Sequence, residues 1–223
     1  MIPRIFHQVW INHADPTLPA AFRAYSDKWR AMHPAWEYRL WNLDTCDFEL
    51  QRPELIGRCA NYAQMADVLR LEILYRYGGV YIDTDFEPLR PIEPVLDGAE
   101  HFFCSEDGAH LSNSIFGARP ESPLILRLLR GLPTELGREP ANVETGPRYF
   151  TRTLLCEGFD ADVKLLPSRL FFPYQWDEPH RAGESFPEAF AVHRWAHSWR
   201  GPQSRGLRVR ARVARMIRAL GSA

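Results

Sequence analysis

Residues 60–88 constrain this chain more tightly than any other stretch. Ala63, Ala66, Leu69, Ile73 and Tyr77 recur at steps of three and four with no Gly or Pro among them, which predicts a long helix with one apolar face. Gly78-Gly79 follows where a left-handed residue would cap that helix. Val80, Tyr81 and Ile82 are strand formers that run directly into Asp83-Thr84-Asp85, and Pro88 and Pro91 prevent a long continuation of the ladder. The two acids are therefore expected at the C-terminal end of a strand.

The N-terminal part supplies a matching unit. Residues 2–10 alternate Ile5, His7 and Val9 against Phe6, Gln8 and Trp10, as a strand entering a core does. Over residues 20–33, Phe22, Tyr25, Trp29 and Met32 mark one face of a helix that stops before Pro34, and residues 37–41 form a second strand. Strand, helix, strand is the unit from which nucleotide-binding α/β sheets are built. Further strands are predicted at 101–104, 114–116 and 163–166, with helices at 123–132 and 148–156.

With 223 residues, 45% hydrophobic and 25% charged, the chain can bury a core as one unit, assigned here to residues 1–201, with a tail over 202–223. No run approaches the roughly 18 apolar residues of a membrane span, and the N-terminus lacks the layout of a secretory signal, so the expected location is the cytoplasm. Cys46, Cys59, Cys104 and Cys156 show no CxxC pairing, which favours reduced, mostly buried thiols over a zinc site or disulfides. Residues 205–223 hold six arginines and no acid, so the rest of the chain carries −7 within a net charge of −1. An acidic body without basic residues interleaved with aromatics excludes a nucleic-acid-binding face. The tail reads as a basic amphipathic helix: a solvated helix, a partner contact, or an anchor at the inner face of a membrane.

In an extended segment, side chains at i and i+2 share a face, so Asp83 and Asp85 would present two carboxylates together. Either this is a solvated acidic turn, or a hard divalent cation such as Mg²⁺ or Mn²⁺ lies between the pair and the phosphates of a substrate. Asp67 and Arg70, three apart on the preceding helix, share a face. They are either a surface ion pair or a carboxylate and a guanidinium suited to sugar hydroxyls and a diphosphate.

The segment Ala66-Asp67-Val68-Leu69-Arg70, followed by Leu74-Tyr75-Arg76-Tyr77-Gly78-Gly79-Val80-Tyr81-Ile82-Asp83-Thr84-Asp85, closely resembles the DxD-containing sugar-binding region of glycosyltransferase family 32. That family includes yeast-type initiating mannosyltransferases, α-1,4-galactosyl- and N-acetylglucosaminyltransferases, and bacterial capsular and lipopolysaccharide transferases. The same Asp, Arg and DxD arrangement is similar to that of the large clostridial glucosylating toxins. Residues 2–10, 33–41 and 193–199 resemble the family's opening strand, second strand and closing His/Trp segment.

The resemblance implies a GT-A-type α/β fold, a mixed central sheet flanked by helices, and a divalent metal, Mn²⁺ or Mg²⁺. It implies a UDP- or GDP-sugar donor and a glycan or lipid-linked glycan acceptor, in surface glycan synthesis. Asp85 would be the direct metal ligand, with Asp83 contacting ribose or sugar and metal-bound water, and Asp67 and Arg70 would hold the sugar. Trp10 would lie against the base, or else is a core tryptophan. His193, His197, Ser198 and Trp199 would close over the diphosphate, supplying a third metal ligand or phosphate contacts, with His193 and His197 both candidates for the metal. Asn113 and Thr145-Gly146-Pro147 look like positions near the sugar or acceptor. Ala66 stands where the family usually has Ser. Retention of configuration by a front-face route is implied, since the motif contains no carboxylate placed as a nucleophile. The rival readings are a haloacid-dehalogenase-like phosphatase, whose pattern wants Thr or Val at the position of Glu87, and a non-catalytic nucleotide-sugar-binding module.

Overall fold

A computed structural model describes residues 1–12, 15–158 and 163–196. In chain order the elements are β1 (Ile5–Val9), α1 (Ala20–Met32), β2 (Glu37–Trp41), α2 (Pro53–Ile56), α3 (Tyr62–Tyr77), β3 (Gly79–Ile82), β4 (Phe86–Pro88) and α4 (Glu93–Leu96). There follow β5 (His101–Ser105), β6 (Leu111–Ala118), α5 (Pro123–Gly131), α6 (Ala141–Glu144), α7 (Pro147–Glu157), β7 (Val163–Leu166) and β8 (Ala191–His193). Six strands form one sheet in the order β2-β1-β3-β6-β5-β7, and β4 pairs with β8 in a separate ribbon. β1 is parallel to β2 and β3, and β5 is parallel to β7, while β6 runs antiparallel to both β3 and β5. The sheet is thus mixed, as expected, and Asp83 leaves the ladder at the end of β3, opposite Ser114 within β6.

Strand alternation divides the core in two. Val80 and Ile82 join Phe6, Trp29, Phe86 and Phe102 on one face; Tyr81 joins Phe103, Phe116 and the apolar residues of α3, α5 and α7 on the other. In α1 the buried line is Phe22, Ser26 and Trp29, with Tyr25 and Met32 only half-buried. Ser26 takes the central place because its hydroxyl bonds Gln8 Oε1 at 2.8 Å and Phe22 O at 3.0 Å.

The largest departure from expectation is α3. In place of a single apolar face, the helix is buried on every side from Gln64 to Leu74 apart from Ala66. It packs against α5 as well as β1, β3 and β6, so its polar residues lie inside the protein and each is bonded there. Glu72 accepts from Gln51 N at 2.8 Å and Arg52 N at 2.7 Å; Gln64 accepts from Ala60 N at 2.8 Å. The helix ends at Gly78, whose φ of 62° and ψ of −157° belong to a glycine-only region and not to the left-handed cap expected. A Cβ on Gly78 would lie 2.6 Å from Pro120 N, and one on Gly79 (φ +94°) 2.6 Å from Ile5 O. Two glycines are needed because the chain reverses into β3 directly against β1.

His7 in β1 carries a pH prediction. Trp41 Nε1 donates to His7 Nδ1 at 3.0 Å, and His7 Nε2 faces Gly78 O at 2.9 Å. A neutral ring protonated on Nε2 satisfies both bonds, whereas a second proton would point at the Trp41 N–H. Burial is the main cause that lowers the pKa from 6.5 to about 4. Between those values the unfolded chain binds more protons than the native one, so stability falls as pH drops through that window. The expected loss from this group between pH 7 and 4.5 is about 2 kcal/mol. Asp67, whose carboxyl is raised to about 6, acts in the opposite direction over the same range, so the His7 contribution is read by difference. Guanidinium titrations at the two pH values should give a change in stability on acidification that is less unfavourable in His7→Gln than in the wild type by that amount.

Candidate active site

Asp83 continues the alternation of β3. Its N–H makes the last ladder bond, to Ser114 O at 2.8 Å, and its carboxylate falls on the face of Tyr81, whose hydroxyl donates to Asp83 Oδ1 at 2.6 Å. The extended geometry expected for Asp83-Thr84-Asp85 is not what brings the acids together. Phe86 N bonds Asp83 O at 3.3 Å, so the triplet is a turn that carries the chain from the main sheet into β4. There the pairing of Phe86 with His193 in the β4–β8 ribbon sets the imidazole opposite Asp85: His193 Nε2 lies 3.1 Å from Asp85 Oδ1. Ala196 N donates to Asp85 Oδ2 at 2.9 Å, and Arg194 N to Asp85 O at 3.0 Å. The ring of His193 stacks on Phe86 at 4.6 Å and meets Trp195 at 4.2 Å.

Beneath the acids lies Arg70 of α3. Its guanidinium reaches Asp67 Oδ1 at 3.1 Å, Asp83 Oδ1 at 3.3 Å and Asn113 O at 2.5 Å, and lies over the Tyr81 ring at 4.4 Å; Nε donates to Ala66 O at 3.2 Å. Asp67 accepts from Asn113 Nδ2 at 2.7 Å and from Thr145 Oγ1 at 2.6 Å. Asp67 and Arg70 are not the surface pair weighed from sequence: both are buried and bonded to the chain on several sides.

The charges are unequal in consequence. Burial raises the pKa of Asp67 to about 6, against the opposing pull of Arg70, Thr145 and Asn113. Burial also raises Asp83, with Arg70 opposing and Asp85 adding to the rise. For Asp85, burial is outweighed by His193 and the Ala196 N–H, so its carboxyl is held below the usual range, and His193 is held above its usual value by Asp85 despite burial. Asp85 is accordingly the most firmly ionised acid of the three.

Donor atoms of Asp83, Asp85 and His193 all lie within 4.8 Å of one another. Two carboxylates and an imidazole form a donor set that a divalent ion such as Mn²⁺ accepts. The buried His193 Nδ1 has no hydrogen-bond partner among the described residues, while Nε2 faces Asp85 Oδ1 at 3.1 Å, which favours the proton on Nε2. The residues present fit a metal ion.

Other expected site residues are placed as follows. Asn113 is at the centre, bridging Asp67 and Arg70. Trp10, just beyond β1, is half-buried with its ring edge-on to Phe22 at 5.7 Å, and its Nε1 is buried without a partner among the described residues. His197, Ser198, Trp199 and the tail 202–223 lie outside the described residues. Sequence reasoning missed Gln8, whose Nε2 donates to Asp83 O at 3.2 Å, and the Tyr81 hydroxyl, read only as a strand former. It also missed Glu106 at the end of β5, whose carboxyl is raised by burial while His193 and a hydrogen bond with Ser112 oppose. Tyr81 alone carried a usable signal, since its i+2 spacing to Asp83 puts both on one face.

The profile described as "Glycosyltransferase sugar-binding region containing DXD motif" matches residues 19–102, the span that delivers Asp67, Arg70, Asp83 and Asp85. Residues 19–102 therefore carry the DXD-containing sugar-binding region of glycosyltransferases. Inositol phosphoceramide mannosyltransferase 1 of Schizosaccharomyces pombe is 27% identical over 225 residues, 92% of this chain and 64% of its own. Mannosyl phosphorylinositol ceramide synthase SUR1 of Saccharomyces cerevisiae is 30% identical over 59% of this chain and 35% of its own, and human alpha-1,4-N-acetylglucosaminyltransferase 29% over 59% and 42%. The chain thus spans less than two thirds of the length of those relatives. Among solved structures, the PaToxG glycosyltransferase superposes with a TM-score of 0.55 at 17% identity, over 70% of each chain. The glycosyltransferase domain of the YGT toxin gives 0.53 at 12%, over 74% of this chain and 80% of its own. The fold is of the GT-A type, and the family displaces the phosphatase alternative. No helix among the described residues is long and apolar enough to cross a membrane.

Proposed function

We propose that this protein transfers a sugar from a nucleoside-diphosphate sugar to a hydroxyl of a glycan or lipid-linked glycan, with retention of configuration and with the help of a divalent metal. One observation carries the reading: Asp83, Asp85 and His193 converge at the end of β3, directly above the buried Asp67–Arg70 pair. Asp83, Asp85 and His193 would hold the ion, which supplies positive charge to the departing diphosphate. Asp85 is suited to this by remaining ionised. Arg70 offsets the charge of Asp67 and Asp83, and with Tyr81 it fixes the direction of the Asp83 carboxylate. By the resemblance, the transferred sugar would sit next to Asp67, Arg70 and Asn113. Trp10, Ser198 and Trp199 remain assigned to the donor, and His197 to the metal, by resemblance.

In the front-face route the carbon–oxygen bond to the diphosphate breaks, the acceptor oxygen bonds the anomeric carbon on the same side, and its proton passes to the departing oxygen. The chain's contribution is to position the donor and exclude water. The related mannosyl- and N-acetylglucosaminyltransferases make hexosyl donors the first to test. A screen of UDP- and GDP-sugars with Mn²⁺ is expected to find one that raises the melting temperature by about 5 °C or more at saturation. Diphosphate release from it should stop on chelation. Donor binding without any release would favour the non-catalytic module, and neither binding nor release across the panel would overturn both readings.

A further inference from the structure

Trp176 is exposed over 58% of its surface, and nothing in the donor site accounts for it. Single exposed apolar side chains are ordinary, but this one sits on a turn that is closed on itself and tied at its base to the site. Gln175 N donates to Glu178 Oε2 at 2.8 Å and Glu178 N to Gln175 O at 2.9 Å, which leaves Trp176 and Asp177 at the tip. Arg181 holds Glu178 from behind at 3.2 Å.

Two links join the base of the turn to the catalytic centre. Gln175 Nε2 donates to Glu106 O at 2.8 Å, at the end of β5, and Trp195 Nε1 donates to Tyr174 O at 3.1 Å. Trp195 also packs on His193 at 4.2 Å, and its backbone is left-handed at φ 51°. A bulky residue rarely adopts that conformation, and strain of this kind persists where the surroundings enforce it. Here the enforcing contacts tie the ring to His193 and to the Trp176 turn together. The half-buried Glu106 carboxylate, on the other tie, is hydrogen-bonded with Ser112 and lies in the field of His193.

An indole face offers a flat apolar surface to the axial C–H groups of a pyranose, and a carboxylate accepts from its hydroxyls. We infer that Trp176 and Glu106 form the acceptor subsite of this enzyme, with Trp176 as stacking wall and Glu106 as hydroxyl acceptor, so that the acceptor presents a pyranose ring next to the hydroxyl that is glycosylated. The inference rests on the sugar-transfer reading above and adds the chemical class of the acceptor's reactive end.

The test uses the full chain with Mn²⁺ and the donor found by the nucleotide-sugar screen, and methyl α-D-mannopyranoside and methyl β-D-galactopyranoside as acceptor probes. Saturation-transfer NMR should show a pyranoside bound to the wild type and lost in Trp176→Ala. In transfer assays Trp176→Ala should raise the KM for the pyranoside at least about tenfold, Trp176→Phe should restore most of it, and Glu106→Gln should raise it with the donor-induced thermal shift retained. Unaltered pyranoside binding in Trp176→Ala, or no binding of either pyranoside by a wild type that binds the donor, overturns the subsite. Loss of donor binding by the wild type itself would instead sink the functional reading.

Discussion

Asp85→Asn is expected to reduce sugar transfer by at least about 1000-fold, roughly 4 kcal/mol in the barrier, while the protein stays folded. The substitution keeps size and leaves an oxygen for the Ala196 N–H, which now meets Asp85 Oδ2. What disappears is a charge. Asp85 is the acid of the site held below the usual carboxylate range, and it is the group that holds His193 above its ordinary value. Without it the proposed ion would lose its firmest anionic ligand. The fold is spared because losing the attraction to His193 is offset by relief of Asp83, whose carboxyl the Asp85 charge pushes up. Diphosphate release and thermal unfolding, measured on the same preparation, decide it. Activity near the wild-type level would refute the assignment of Asp85, and collapse of the fold would show that the residue is structural.

The second large effect falls on stability. Arg70→Met retains the bulk of the stem but leaves Asp67 and Asp83 facing each other across a space that now holds no cation. Breaking a buried ion network by removing one partner costs about 3–5 kcal/mol. The pH dependence gives a sharper check. With Arg70 gone, both carboxyls rise further above their unfolded values, so the native state holds more protons than the unfolded state and stability decreases as pH increases. Denaturant titrations should find the deficit larger at pH 8 than at pH 5, the reverse of the trend expected from His7. Asp67→Asn combined with Arg70→Met should recover part of the loss. A deficit below about 1 kcal/mol at pH 8 would mean that the buried network contributes little.

Much of the frame was readable from local chemistry. Residues 37–41 and 163–166 were recognisable as strands, and α1, α5 and α7 as helices to within a residue or two, because periodicity, Pro and β-branched residues act over a few positions. The β4–β8 ribbon was not readable. Three-residue strands have no periodicity of their own, and β8 exists only because β4 lies beside it. The same holds for α3: Asp67 and Arg70 at i and i+3 looked the same whether they faced water or the interior, since spacing reports a shared face and not what covers it.

By itself the sequence determined the order of helix, glycine reversal, strand and acid pair, because each step depends on neighbours in the chain and on what glycine, proline and β-branched residues can adopt. Tertiary structure alone decided that His193 partners Asp85, that Asp83 is restrained by Tyr81 and Arg70, and that the turn carrying Trp176 is tied through Gln175 to Glu106 and through Tyr174 to Trp195. Those contacts join residues far apart along the chain, and only the packed sheet and ribbon bring them within bonding distance.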